Sequence, residues 1–592
     1  MKLNRLDTIS IGRDYGRTKH QKTTVHLLLL LLWIVIGSVF RFFALNSKTL
    51  WSDEWATIVF SLGHSFKDIP LDRIITLQTL LEPLYVDSAN TQNVVSHLMN
   101  ESTHPPLYFV LSHWWLKLFS HHGDLVSIWL ARSLSVIFGV VTIPAMFGLG
   151  WLIFNSCLAG QIAAALMAVS PYGIYLAQEA RHYTLAILWV IASSACWIIT
   201  VRCWSKQQIP QRSLILVWIL INSLGIATHY FFGLNLLAQM LVLVTLWWQD
   251  AKHSWKNYQV VAFSAIWRRI SLAILGTIAG CAVWVFSWQY FPDPRLTAWT
   301  AQDLSLNLEL LFPLGRLLAW IVTMFTLPPV EGTSPWIILL SAIVLLPTVF
   351  WFLAANWHYL TTSSNTVDRA VKSFIAISLV LVLVFAYFLG RDLTLAARFQ
   401  YFYFPAILIL AVGILRSKWQ LQGKNLVVAV LLSGCLGALT VINNYGFQKS
   451  DRPELVVSAI AEANSLNQDS PIVIATVHKT HEQTGEMMGL AWEWHKQHLD
   501  NSDSANTPRF LLLHVEEDHG IVASNLYRFL ERSPRPFALW LVNFSASTQF
   551  GDRTLESQGC LADSEAPLTV SGYHFRLYHC QDSPSNISKK NN

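Results

Sequence analysis

The stretch LWSDEWATIVF, residues 50–60, sets two adjacent carboxylates, Asp53 and Glu54, between two tryptophans just past the first long apolar run. A carboxylate at a water–lipid edge is partly desolvated, which raises its pKa toward the range useful to a general base. Adjacent residues project about 100° apart on a helix and to opposite faces on a strand. One of the pair can therefore face a cleft, which leaves the other to hold a loop or a metal.

More polar groups recur beside apolar runs. They are His104 with Pro105 and Pro106, Arg132, the QEARHY segment with Arg181 and Tyr183, THYFFG (228–233), and GRDLTLAARFQYFY (390–403) with Arg398 and Tyr401. Charges at membrane depth are costly and count as functional candidates. Each also has a plain structural reading. The Asp-Glu pair could be solvated, and Trp51 and Trp55 could anchor at the interface. HPP is a helix start, Arg181 and Arg398 could snorkel to headgroups, and Tyr183, Tyr401 and Tyr403 fit an interfacial belt. As a set they match transfer of a sugar from a polyprenyl phosphate to a hydroxyl, which needs one base and several cations. A glycosidase needs a second carboxylic acid because an alkoxide leaves poorly. A phosphate leaves unprotonated when cations hold its charge.

The elements that must position these groups are membrane helices. The 592 residues are 53% hydrophobic and 13% charged, against roughly 25% charged in soluble domains. TTVHLLLLLLWIVIGSVF (23–40) carries no formal charge. It is too long for the apolar region of a signal peptide, and no small-x-small site follows it, so it reads as a retained first span. Residues 1–24 hold six Lys/Arg, and 46–103 hold three Lys/Arg with seven Asp/Glu. The positive-inside rule then places the N-terminal tail (1–24) in the cytoplasm and the long loop 46–125 outside. Basic connectors at 201–212, 251–269 and 416–424 fix the parity of later crossings. These are expected near 126–153, 160–177, 182–201, 213–229, 231–249, 270–289, 335–354, 371–389, 402–416 and 425–443, giving about 11 spans. The stretches 104–119 and 308–327 would break the alternation and read as interfacial or re-entrant helices; counted as crossings they would make 13.

The transmembrane domain (25–444) gives way to a region, 445–592, with no spanning run and with 12 Lys/Arg against 18 Asp/Glu. Strand-like runs at 471–477, 509–515, 537–544 and 573–580 alternate with helical patterns such as 453–465 and 523–533, which predicts a small α/β soluble domain outside the cytoplasm. It contains no Gly-rich phosphate loop, and SPSNISKKNN (583–592) reads as disordered. Cys560 and Cys580 lie in this region; whether they form a disulfide is left open by spacing.

WSDEWAT, HPPLYF, ARSLSVIFGVVTIPAMFGLG (131–150), GQIAAALMAVSPYGIYLAQEARHYTL (160–185) and ARFQYFYFPAILIL (397–410) resemble the membrane glycosyltransferases of the GT-C fold that use polyprenyl-phosphate sugars, such as protein O-mannosyltransferases and aminoarabinose transferases. The resemblance covers roughly residues 25–200 well and weakens toward 410. It implies an α-helical polytopic membrane protein with 11 to 13 spans and a soluble C-terminal domain. It also implies inversion at the anomeric carbon and an active site on the extracytoplasmic face of a plasma membrane, with a bacterial source favoured. Carried over residue by residue, it makes Asp53 the catalytic acid with Glu54 adjoining. It makes His104, Arg181, Tyr183, Arg398 and Tyr401 substrate-binding residues, and Arg132, early in the second crossing on the outer side, is a further substrate-binding candidate. The expected partners are a polyprenyl-phosphate-linked sugar, membrane lipids and an acceptor protein, lipid or glycan, with no nucleic acid. No cofactor is implied, and no spacing among Asp53, Glu54, His104 and Glu179 demands a divalent metal. The β-trefoil insertion of protein O-mannosyltransferases has no counterpart here. Two competing readings are a transporter or flippase of a lipid-linked sugar, disfavoured by the lack of an internal repeat, and a non-catalytic membrane scaffold.

Overall fold

The computed structural model describes residues 7–256, 265–288, 294–301, 308–331, 333–363, 365–421, 423–447, 451–466, 470–498, 507–515, 519–544, 555–564 and 567–581. The tail expected to be disordered, 583–592, lies outside the described residues.

α1 (Asp7–Phe42) leads into the 46–125 segment, which holds α2 (Ser52–Leu62), the two-residue strand β1 (Ile74–Ile75), α3 (Leu77–Leu81), α4 (Thr91–Glu101) and α5 (Leu107–Phe119). The apolar part continues with α6 (Ile128–Phe154), α7 (Cys157–Val169), α8 (Pro171–Ala177), α9 (Tyr183–Ser205), α10 (Arg212–Thr228), α11 (Phe232–Lys256), α12 (Ala265–Trp288), α13 (Phe312–Thr323), α14 (Pro335–Ala355), α15 (Trp357–Thr361), α16 (Thr366–Phe388), α17 (Phe404–Gln420) and α18 (Lys424–Ile442).

Among the described residues eight helices are long and apolar enough to cross a membrane, and the bent pair α7–α8 makes a ninth. The remaining two expected crossings are occupied by α10 and α17, 17 residues each, at the lower limit for a span. The helices in the two ambiguous stretches, α5 and α13, have 13 and 12 residues. At 1.5 Å per residue they reach about 20 and 18 Å, short of the roughly 30 Å hydrocarbon layer.

The 57° break between α7 and α8 has a local cause. Pro171 opens α8 and the Ser170 hydroxyl accepts the Gly173 N–H (3.3 Å), so the chain restarts a helix instead of continuing one. The carbonyls left open at the end of α7 are taken by Arg41. Fully buried at the end of α1, it donates to Met167 O (2.8 Å) and Ala168 O (3.0 Å).

Beyond residue 450 come α19 (Pro453–Leu466), β2 (Ile472–His478), α20 (His481–Gln497), β3 (Arg509–His514), α21 (His519–Arg532), β4 (Phe537–Val542), β5 (Cys560–Ala562), β6 (Leu568–Val570) and β7 (Tyr573–Cys580). The sheet order is β1-β3-β2-β4-β7-β5, with β6 also on β7. β2 pairs in parallel with β3 and β4, and β7 pairs antiparallel with β4. All four expected strands are present. The helix over 481–497 and the strands β1, β5 and β6 are additions. Cys560 and Cys580 are joined by a disulfide.

The 46–125 segment and the C-terminal domain are not separate bodies. β1 completes the sheet edge at β3, and one apolar core runs through both, joining Trp55, Ile58 and Val59 of α2 to Met487, Met488 and Trp540. Trp55, expected at the membrane interface, is 1% exposed and packs against Trp492. The close approach of α2 and α20 leaves little room at Gly485, where a Cβ would sit 3.3 Å from Ser52 Cα. Gly485→Leu is expected to overpack this seam by about 1–3 kcal/mol, seen as a lower melting temperature and faster proteolysis after residue 445.

Candidate functional site

α2 starts with Trp51 in extended conformation and ends at Gly63, whose positive φ of 85° closes the helix. Trp51 supplies no capping side chain. Instead the Ser52 N–H donates to Asp451 Oδ2 of the C-terminal domain (3.0 Å). Asp53 and Glu54 fall in the first turn, where carboxylates suit the helix dipole, and the helical offset sends them to different places.

Glu54 turns inward and is fully buried. Arg132 grips it with two hydrogen bonds, Nε to Oε1 (2.8 Å) and Nη2 to Oε2 (2.9 Å), and the Ala180 N–H donates to Oε1 (2.9 Å). The remaining donors of Arg132 go to Leu45 O, Lys48 O and Thr49 O. Arg132, expected to bind substrate, is thus enclosed with Glu54 and lines neither cavity of the site. The pair ties α6, the 45–49 turn, α2 and the residue before Arg181 together.

Asp53 turns outward, a third of its side chain exposed, toward two guanidiniums. Arg181 Nη2 lies 3.4 Å and Arg398 Nη2 3.7 Å from its Oδ2. Arg181 is fixed by bonds from Nη1 to Asp53 O (2.8 Å) and Thr57 Oγ1 (2.9 Å). Arg398 lies over the faces of Trp51, Trp299 and Phe399, 4.5 to 5.3 Å from the ring centres. Arg181 is buried, and Arg398 is 16% exposed and held among aromatic rings. Burial works against the charge of Arg181, yet Asp53 and its other neighbours hold its pKa above the ordinary value.

Arg181 Nη2 also lies 3.1 Å from His104 Nε2. An arginine can only donate, so Nε2 must accept. His104 is therefore neutral, with its proton on Nδ1 shared with Ser102 Oγ (3.2 Å). Burial, and then the charge of Arg181, holds His104 well below the usual imidazole range. Behind it stand His182, whose ring is 5.2 Å from that of His104, and His229, 4.6 Å further on. Tyr183 and Tyr401 are buried beside His229 at 5.8 and 5.4 Å, which removes them from any interfacial belt. Tyr183 borders the cavity, whereas Tyr401 stands behind it.

Two cavities meet at Asp53. The first, about 390 Å³, is walled by Tyr183, His229, Tyr230, Phe231, Arg391 and Phe399. The second, about 360 Å³, is walled by Trp51, Phe60, Phe109, Asp451, His481 and Glu482. Asp53, His104, Arg181, Trp299 and Arg398 border both. Among the described residues no group of three or more His, Cys, Asp or Glu is arranged to hold a metal ion.

Sequence reasoning missed Trp299, Asp451, His481 and Glu482. A signal did exist for two of them: T-H-E-Q at 480–483 is a capping box, which the structure confirms, and it fixes a helix start at 481. Nothing local marks Trp299 or Asp451.

No protein-family model matches the sequence, and no curated protein matches it. Solved structures do resemble it. ArnT from Cupriavidus metallidurans in the apo state aligns over 92% of this chain and 97% of its own, at 11% identity and a TM-score of 0.51. The same protein bound to undecaprenyl phosphate aligns over the same shares at 12% identity and 0.49. The oligosaccharyltransferase of Archaeoglobus fulgidus aligns over 88% of this chain and 69% of its own, at 12% identity and 0.45. The chain has the GT-C fold, an α-helical membrane bundle with a small C-terminal sheet domain.

Two outcomes follow from the buried charges. Arg132→Met leaves Glu54 buried without its partner and is expected to cost about 3–5 kcal/mol, read as a lower melting temperature; Glu54→Met added to it should recover part of the loss. His104 titrates near 6.5 when unfolded and well below that when folded. Folding thus excludes a proton it would otherwise bind, so its contribution to stability is full above about pH 6.5 and is lost as pH falls toward the folded value. Melting temperature should drop between pH 7 and 5. His104→Gln should flatten that slope by about one proton, or about 1.4 kcal/mol per pH unit.

Proposed function

We propose that this chain is an inverting glycosyltransferase that moves a sugar from a polyprenyl-phosphate donor to an acceptor hydroxyl at the extracytoplasmic face of a bacterial plasma membrane. The observation that carries the reading is one partly exposed carboxylate, Asp53, set against two guanidiniums where two cavities meet. The sequence resemblance and the GT-C fold agree with it.

In this reading the donor occupies the first cavity. Its phosphate lies against Arg181 and Arg398, with Arg391, pinned to Thr297 O and Thr300 Oγ1, on the far wall. Tyr230 borders both this cavity and an apolar groove of about 470 Å³ lined by α10, α11 and α12, which offers room for an isoprenoid tail. The acceptor oxygen attacks the anomeric carbon from the Asp53 side as the bond from that carbon to the phosphate oxygen breaks. The hydroxyl proton passes to Asp53, and the bonding pair leaves with polyprenyl phosphate, whose charge the arginines hold. Attack opposite the leaving group inverts the anomeric centre. Neutral His104 accepts from Arg181 and keeps that guanidinium aimed at the junction. Glu54 and Arg132 take no part in the chemistry and hold α2 in place.

The test uses purified protein in lipid vesicles with a panel of radiolabelled polyprenyl-phosphate sugars, scoring release of free polyprenyl phosphate. Asp53→Asn should lower turnover by about 10²–10⁴-fold while donor still binds. Equal turnover in that variant would remove Asp53 from the role of base. Donor translocation without release in the wild type would replace the reading with that of a flippase.

A further inference from the structure

We propose that a separate cavity, remote from Asp53, seats the headgroup of a membrane phospholipid: a phosphodiester whose head alcohol ends in a hydrogen-bond donor, ethanolamine or glycerol rather than choline. The inference goes beyond the glycosyl-transfer reading and does not depend on it.

The place follows from the helices that end there. This cavity, about 420 Å³, shares no lining residue with the two that meet at Asp53. Its walls come from the turn after α1, the turn after α18 and the C-terminal domain. Both helices are long and apolar enough to cross a membrane, so their ends stand at the height of lipid headgroups. Both also leave apolar surface exposed on the way up, at Val39 and Phe43 beside one end and at Leu436 and Leu439 beside the other, against which acyl chains can lie.

The ligand class follows from the lining, in which the cations Lys48, Arg452 and Lys496 outnumber the carboxylates Glu454 and Glu493. Each carboxylate has a cation beside it: Arg452 donates to Glu454 Oε1, and Lys496 Nζ lies 3.2 Å from Glu493 Oε2. The charge left over matches the single charge of a phosphodiester, whose unesterified oxygens accept from ammonium and guanidinium groups. Glu454 holds an acceptor in reserve. Among the described residues its Oε2 has no hydrogen-bond partner, and 25% of its side chain is exposed. An ammonium or a glycerol hydroxyl can donate to that carboxylate, whereas a trimethylammonium has no proton to give.

The same walls hold α2. Arg132 donates to the carbonyls of Lys48 (2.9 Å) and Thr49 (3.2 Å), and Asp451, the neighbour of Arg452, accepts from the Ser52 N–H that opens the helix. A headgroup bridging Lys48 to Arg452 ties these two segments together, so the bound lipid stabilises the seam between the membrane bundle and the C-terminal domain.

Native mass spectrometry of the full chain in detergent, with dioleoyl phosphatidylethanolamine, phosphatidylglycerol and phosphatidylcholine supplied in equal amounts, reads the preference without requiring turnover. Melting temperature with each lipid reads the stabilisation. The first two lipids should bind about tenfold tighter than the third, the worth of one hydrogen bond to a charged group, and should raise the melting temperature more. The Lys496 side chain is 54% exposed, so Lys496→Glu should fold normally and weaken both lipids by about tenfold. Glu454→Gln, nearly isosteric, should weaken phosphatidylethanolamine more than phosphatidylglycerol. Equal binding of the three lipids, or preferences and thermal shifts unchanged in both variants, would overturn the proposal. Inorganic phosphate that displaces the lipids and reproduces their thermal shift would also overturn it, giving the cavity to a free anion.

Discussion

The buried pair of Glu54 and Arg132 is the joint on which the site is built. Removing two charges from water is costly, and it is sustained here because every strong donor of the guanidinium is used and the carboxylate accepts a third bond from Ala180. That geometry fixes four pieces of chain at once. It sets the rotation of α2 about its axis and so the direction of Asp53. Through Ala180 it also sets the place where Arg181 begins.

From that joint the polar layer spreads in two directions. On one side a neutral histidine keeps Arg181 aimed at Asp53, and an aromatic cradle does the same for Arg398. On the other side the C-terminal domain reaches in. Asp451 caps α2, Gly485 lets α20 approach it, and β1 from the 46–125 segment finishes the sheet. The soluble domain is therefore a wall of the site, and stability in that domain and geometry at Asp53 are physically coupled.

Much of this was legible along the chain. Charge-free runs of about 20 residues can only be buried or span lipid, and basic connectors fix their order, so ten of the later helices and the first span stand where expected. The four central strands were legible because each is a short apolar run bounded by turn residues. Asp53, His104, Arg181 and Arg398 stood out because a charge or imidazole beside apolar sequence must have a use.

The sequence by itself determined the membrane bundle, the mixed C-terminal domain and the set of polar residues from which the site is drawn. Tertiary structure alone decided their roles. By residue type and spacing alone Asp53 and Glu54 are interchangeable, and the turn of a packed helix sends one to a cavity and the other to Arg132. Arg132 and Arg181 are likewise both arginines beside apolar runs, told apart by whether their donors are consumed by backbone carbonyls. Trp55 reads as an interfacial anchor until a second domain covers it. Asp451 and Ser52 are separated by 399 residues, and no local propensity or pattern carries information over that distance. Which polar group faces a ligand depends on what already satisfies its hydrogen bonds, and that is set by chain segments remote in sequence.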